Sequence, residues 1–194
     1  LIIIVCSLVA LIAFINTDIA LIILIFSMLL SPEFKIAEVP QRSVVVRLDD
    51  LLLIIIFFSW LAKMSINKEL GLLKSTPLRF PIFLYILVCI VSTALGISRG
   101  DVIAIKSFFY LLKYIEYFML YFMVVNNIKS QKQIKIFITY LLIVSLIVCI
   151  YAIATVGHFG RATAPFEGEH AEPGTLGGYL LFLIAILSGI LLYS

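Results

Sequence analysis

Apolar residues come in long unbroken runs along this chain, and the polar residues are gathered between them. Residues 1–15 and 19–30 are apolar and are parted by Asn16-Thr17-Asp18. A single helix over 1–30 would run about 45 Å, too long without strong tilt for a hydrocarbon core of about 30 Å. The pattern therefore predicts a tight helical hairpin, its second member capped by Thr17 or Asp18 and its first cut short. Residues 31–47 read as a loop: Pro32 and Pro40 break helix, Lys35, Arg42 and Arg47 keep it wet, and Val44-Val45-Val46 reads as a short extended piece. Asp49 and Asp50 open the next apolar run, where carboxylates suit the positive end of a helix dipole.

The third span, 48–62, leads into the most basic connection, with Lys63, Lys68, Lys74 and Arg79. A fourth span at 80–97 turns at Ser98-Arg99-Gly100-Asp101 into a fifth at 102–125. A second basic loop, 126–135, holds Lys129, Lys132 and Lys135, and a sixth span covers 136–156. After the polar stretch 161–173, a seventh span takes up 175–194, and the first two are set at 1–15 and 18–31. The predicted fold class is all-α: a polytopic integral membrane bundle of about seven transmembrane helices. It forms a single domain over 1–194 without an internal repeat. The chain opens on Leu1 with no methionine or basic leader, and closes on Leu191-Leu192-Tyr193-Ser194 inside an apolar run. A fragment truncated at both ends is the expectation.

Composition agrees with this class. Hydrophobic residues make up 63% and charged residues 13%, against roughly 45–50% and 25% in a soluble domain; the mean hydropathy is +1.21. The formal charge of +3 lies between the apolar runs, so it speaks to topology and not to nucleic-acid binding. Cys6, Cys89 and Cys149 fall inside apolar runs with no paired spacing, which argues against a disulfide framework or a metal site. Orientation follows from the Lys and Arg count in alternate connections. The Asn16, Lys63 and Asn126 connections hold seven, against five in the other set. The first set goes to the cytoplasm, which places the 161–173 loop on the outer face.

Candidate chemistry gathers in two places. On the fifth span, Lys106, Tyr110, Lys113, Tyr117 and Tyr121 follow helical steps and share one face, and Glu116 can neutralise Lys113. Intramembrane charge costs about 2.5–3.5 kcal/mol on insertion scales, so it faces a bundle interior or a watery cavity. Two readings stand side by side: a polar wall that meets an anionic or sugar-bearing ligand, or a Lys–Glu pair that specifies packing while Lys106 snorkels outward. In the outer loop, Arg161 has the planar fork that grips a phosphate or diphosphate, although a lone arginine also sits well among headgroups. Glu167, Glu169, His170 and Glu172 lack HExxH, DxD or His-x-His spacing and read as a solvated acidic loop; His158 reads as an interface residue. Pro173, Gly174 and Thr175 start a helix, and Gly177-Gly178 would allow a neighbouring helix close.

Three stretches together resemble the amino-terminal half of the O-antigen ligase and O-antigen polymerase family of bacterial envelope enzymes. They are Arg47-Leu48-Asp49-Asp50-Leu51-Leu52, Leu112-Lys113-Tyr114-Ile115-Glu116-Tyr117, and Arg161…Pro165-Phe166…Glu172-Pro173…Gly178-Tyr179-Leu180. The last is the most specific. The resemblance implies a GT-C-like, metal-independent membrane glycosyltransferase without cofactor, in the bacterial inner membrane. Its partners would be an undecaprenyl-diphosphate-linked glycan and an acceptor such as lipid A–core or a growing polysaccharide. It further implies that Arg161 holds the donor diphosphate and that Lys113 lines the same cavity. The family commonly has Pro-Asn where this chain has Pro173-Gly174, and its catalytic histidine is expected beyond Ser194, so His170 is not assigned that role and no catalytic residue is placed in 1–194. A membrane transporter fragment, with Lys113 and Glu116 on a translocation path, and a non-catalytic membrane subunit are the competing classes.

Overall fold

A computed structural model describes residues 2–39, 42–68, 74–159, 162–166 and 173–193. The described residues form seven α-helices and one β-hairpin, grouped in two compact units, Leu1–Leu21 with Asp50–Lys129 and Ile22–Asp49 with Ser130–Ser194.

The first two helices, α1 (Ile2–Ile15) and α2 (Thr17–Leu30), are parted by a single residue. The hairpin expected at Asn16 is not formed, for antiparallel helices need a loop of roughly two to five residues. Instead the Asn16 N–H donates to Ile12 O at 2.7 Å and the Ala20 N–H to Asn16 O at 3.3 Å, so helical spacing resumes across the break. Asn16, not Thr17 or Asp18, is the cap: its Oδ1 accepts the N–H groups of Asp18 and Ile19 at 3.0 and 3.4 Å. Buried Val9, Ala13, Thr17 and Ala20 follow one another at helical spacing through the interruption.

In the first unit, α3 (Leu48–Ile66) buries Leu52, Leu53, Ile56, Trp60 and Met64 along one face. Its Lys63 ammonium donates to Ile15 O at 3.0 Å, satisfying a carbonyl at the end of α1. The pair α4 (Arg79–Arg99) and α5 (Ala104–Asn127) is turned at Gly100, whose φ of 78° suits glycine. Gly100 N–H donates to Ile97 O at 3.1 Å and Asp101 N–H to Gly96 O at 3.0 Å, the crossed bonds of a Schellman end. A Cβ on Gly96 would lie 3.0 Å from Val102 Cγ2, so the turn closes onto a bare backbone. Edge-on rings join the pair, Tyr85 lying 5.8 Å from both Tyr114 and Phe118. At the far end of α5, Lys74 donates from its ammonium to Val125 O and Ile128 O at 3.0 and 2.8 Å, and its N–H reaches Asn126 Oδ1 at 2.7 Å.

In the second unit, β1 (Glu33–Val39) and β2 (Arg42–Arg47) pair antiparallel, from Glu33 opposite Arg47 to Val39 opposite Arg42, with an irregularity between Lys35 and Ala37. The extended piece expected at Val44–Val46 is thus one arm of a hairpin, and the described residues are helical apart from this one small sheet. A polar latch closes its base. The Arg47 guanidinium donates to Met28 O at 2.6 Å and to Asp49 Oδ1 at 3.1 Å, and the buried Ser31 hydroxyl donates to the same carboxylate at 2.7 Å. The cation meets the carbonyl end of α2 while Asp49 sits in the first turn of α3, each suited to the local dipole.

Helix α6 (Gln131–Phe159) starts five residues before the predicted span. Gln133 N–H donates to Ser130 Oγ at 3.3 Å in a Ser-x-x-Gln start, so Lys132 and Lys135 are helical and not in a loop. Val144, Val148 and Ala152 of α6 pack with Leu29, Ala164 and Leu176 in the core of this unit. In α7 (Pro173–Tyr193), Pro173 takes the first helical position, as expected. The packed side of α7 carries Leu176, Tyr179, Leu180 and Leu183; a Cβ on Gly177 or Gly178 would meet nothing within 4 Å among the described residues.

Among the described residues, four helices are long and apolar enough to cross a membrane: Arg79–Arg99, Ala104–Asn127, Gln131–Val156 and Gly174–Leu192. The shorter α1 and α2, of 14 residues each, reach only about 21 Å; α3 carries Asp49, Asp50 and Lys63. Large exposed apolar side chains cover the long helices, α4 above all. Such a surface is at rest in lipid. The protein is a helical membrane protein with at least these four candidate spans.

Candidate functional site

The sequence places a cation inside α5, and hydrocarbon makes a cation seek a partner. Lys113 is the tenth of 24 residues in α5, near the middle of the helix. Its ammonium pairs with Asp50 Oδ1, from the first turn of α3, and lies 3.6 Å from Glu116 Oε2, one turn along its own helix. The Asp50 and Glu116 side chains are 14% and 6% exposed, against 35% for Lys113. Two nearly buried carboxylates therefore hold one ammonium.

Two neighbouring acids thus take different tasks. Asp49 closes the latch at the foot of the hairpin with Ser31 and Arg47. Asp50 ties α3 to α5. Asp50 lies in the first turn of α3 and Lys113 near the middle of α5, so this ion pair sets the start of α3 beside the middle of α5.

The tyrosine stripe does not form a packed wall. Tyr110 and Tyr117 are more than half exposed, while Glu116 and Met123 are the buried positions of α5. Tyr114, which lies off the stripe, is in ring contact with Tyr85. The Lys113–Glu116 pair expected from their spacing is present. The Asp50 partner, 63 positions away in sequence, gave no local signal. The only guide was the rule that a membrane-embedded cation must find an acid.

Arg161, Glu167, Glu169, His170 and Glu172 lie outside the described residues, as does the His158 side chain. The neighbouring stretch 162–166 is described. Ala162 packs against the core of the second unit, Ala164 is buried within it, and Pro165 is buried too. Phe166 then takes a positive φ of 61° and is exposed, an uncommon backbone for a bulky residue. The segment after Arg161 is therefore anchored against α2, α6 and α7.

Among the described residues, no group of three or more His, Cys, Asp and Glu side chains is placed to hold a metal ion. Comparison with protein-family models, with curated proteins and with solved structures finds no match to the chain.

Proposed function

We propose that the chain is part of a membrane glycosyltransferase of the O-antigen ligase and polymerase type, with a GT-C-like architecture, in the bacterial inner membrane. One observation carries the reading: two of the three stretches behind the resemblance, around Asp50 and around Lys113, meet in an ion pair. In this proposal the donor is an undecaprenyl-diphosphate-linked glycan, and the acceptor is lipid A–core, a growing polysaccharide or another hydroxyl. The acceptor oxygen forms a bond to the anomeric carbon as the bond from that carbon to the diphosphate oxygen breaks. The acceptor's proton goes to a base outside residues 1–194, and the diphosphate leaves with the electron pair. Arg161 holds the departing diphosphate where negative charge develops; the residues that follow it in sequence, Ala162, Ala164 and Pro165, pack into the second unit. Lys113, whose charge Asp50 and Glu116 balance, is assigned to the substrate as well.

The test is Arg161→Lys in the full protein, which keeps the charge and removes the planar fork. Transfer from the lipid-diphosphate donor falls about a hundredfold while membrane insertion stays intact. Unchanged transfer returns Arg161 to the headgroup layer.

A second reading rests on a specific observation. Two carboxylates around one ammonium inside a membrane helix is also an arrangement suited to a proton relay in a transporter. Under that reading Glu116 carries the translocated proton, and its replacement abolishes flux.

A further inference from the structure

At the start of α6 lies a shallow, open depression of about 250 Å³, lined by Lys132, Lys135, Ile136, Thr139 and Tyr140. Its depth in the bilayer follows from length. The apolar stretch 136–156 covers about 31 Å, matching a hydrocarbon core of about 30 Å. Lys135 stands immediately before that stretch and Lys132 one turn outside it, so both ammonium groups reach headgroup level. Ile136 opens the apolar stretch and Tyr140 lies about one turn inside it. Tyr140 is held there by an edge-on contact with Phe26, ring centroids 5.9 Å apart.

Charge points the same way. No Asp or Glu occurs between Glu116 and Glu167, and neither Lys132 nor Lys135 forms a salt bridge among the described residues. Four other cations are occupied differently: Arg47, Lys63 and Lys74 by helix-end carbonyls, and Lys113 by carboxylates. Two lysines at helical spacing beside an apolar floor match one amphipathic ligand, with a phosphate at one end and hydrocarbon at the other.

We propose that this depression binds the headgroup of an anionic phospholipid, the phosphate between Lys132 and Lys135 and the first acyl carbons over Ile136 and Tyr140. The contact is independent of any transferase activity. The intact chain, purified in detergent, is incubated with phosphatidylglycerol or phosphatidylcholine, and retained lipid is counted by native mass spectrometry. Phosphatidylglycerol is retained in preference. Lys132→Gln or Lys135→Gln lowers its retention about fivefold, and the double substitution on the order of thirtyfold. Replacing both lysines by arginine restores it, and Lys68→Gln leaves it unchanged. Added inorganic phosphate does not displace the lipid. Equal retention of the two lipids, an unaffected double variant, or an equal loss in Lys68→Gln overturns the proposal. Displacement by inorganic phosphate overturns the lipid as occupant and leaves a phosphate site.

Discussion

Removing the ammonium from the α5 cluster is the perturbation that reports most on the first unit. The Lys113–Glu116 separation of 3.6 Å gives a Coulomb term of about 5 kcal/mol at an effective dielectric of about 20. Lys113 is 35% exposed, so screening and the cost of desolvation reduce the net coupling to about 2 kcal/mol. Lys113→Met takes the cation away from two nearly buried acids and costs about 3 kcal/mol. Glu116→Gln leaves Asp50 on the ammonium and costs about 1 kcal/mol. The double variant then costs about 2 kcal/mol instead of the sum of about 4, because the second change removes the acid that the first one exposed. Trp60 supplies the assay. It is the single tryptophan, buried at 4% on α3, with its ring 5.7 Å from Phe57. Its emission follows unfolding of the purified chain in mixed micelles as denaturing detergent is raised. A double variant whose cost equals the sum of the single costs, within about 0.5 kcal/mol, would refute the ion pair as an energetic link.

Other consequences concern the turn and the outer loop. Gly100→Ala places a Cβ at a φ of 78° and destabilises the α4–α5 pair by about 1 kcal/mol, read as a lower midpoint in the same Trp60 titration. Ala164→Leu overfills the core between α2, α6 and α7 at about 1–3 kcal/mol. Under the proposed function it also lowers glycan transfer, because it loosens the anchor beside Arg161; normal transfer together with the stability loss would separate the anchor from the site.

The long helices were legible because their apolar runs leave few alternatives. Their ends were not, wherever a polar residue serves as a cap. Ser130 and Gln133 form a recognisable helix start that carries α6 back through Lys132 and Lys135, a signal masked by lysines whose charge reads as loop. Asn16 misled in the opposite direction: a three-residue polar break suggested a reversal, yet its side chain caps α2 in place and lets the helix resume. The basic residues carried a meaning that a charge count does not convey. Lys63 and Lys74 are topology votes by sequence and covers for helix-end carbonyls in structure. The pairing of Lys113 with Glu116 was readable from spacing, whereas Asp50 depends on the depth at which α3 begins relative to α5. No local pattern encodes that depth.

Transfer and transport can be set against each other in one preparation. Proteoliposomes of the full protein receive an undecaprenyl-diphosphate glycan and an acceptor, and glycan transfer and proton flux are followed together. The proposed function predicts transfer that falls about a hundredfold in Arg161→Lys, with no flux that depends on Glu116. Proton flux abolished by Glu116→Gln, with no transfer in any variant, would contradict it.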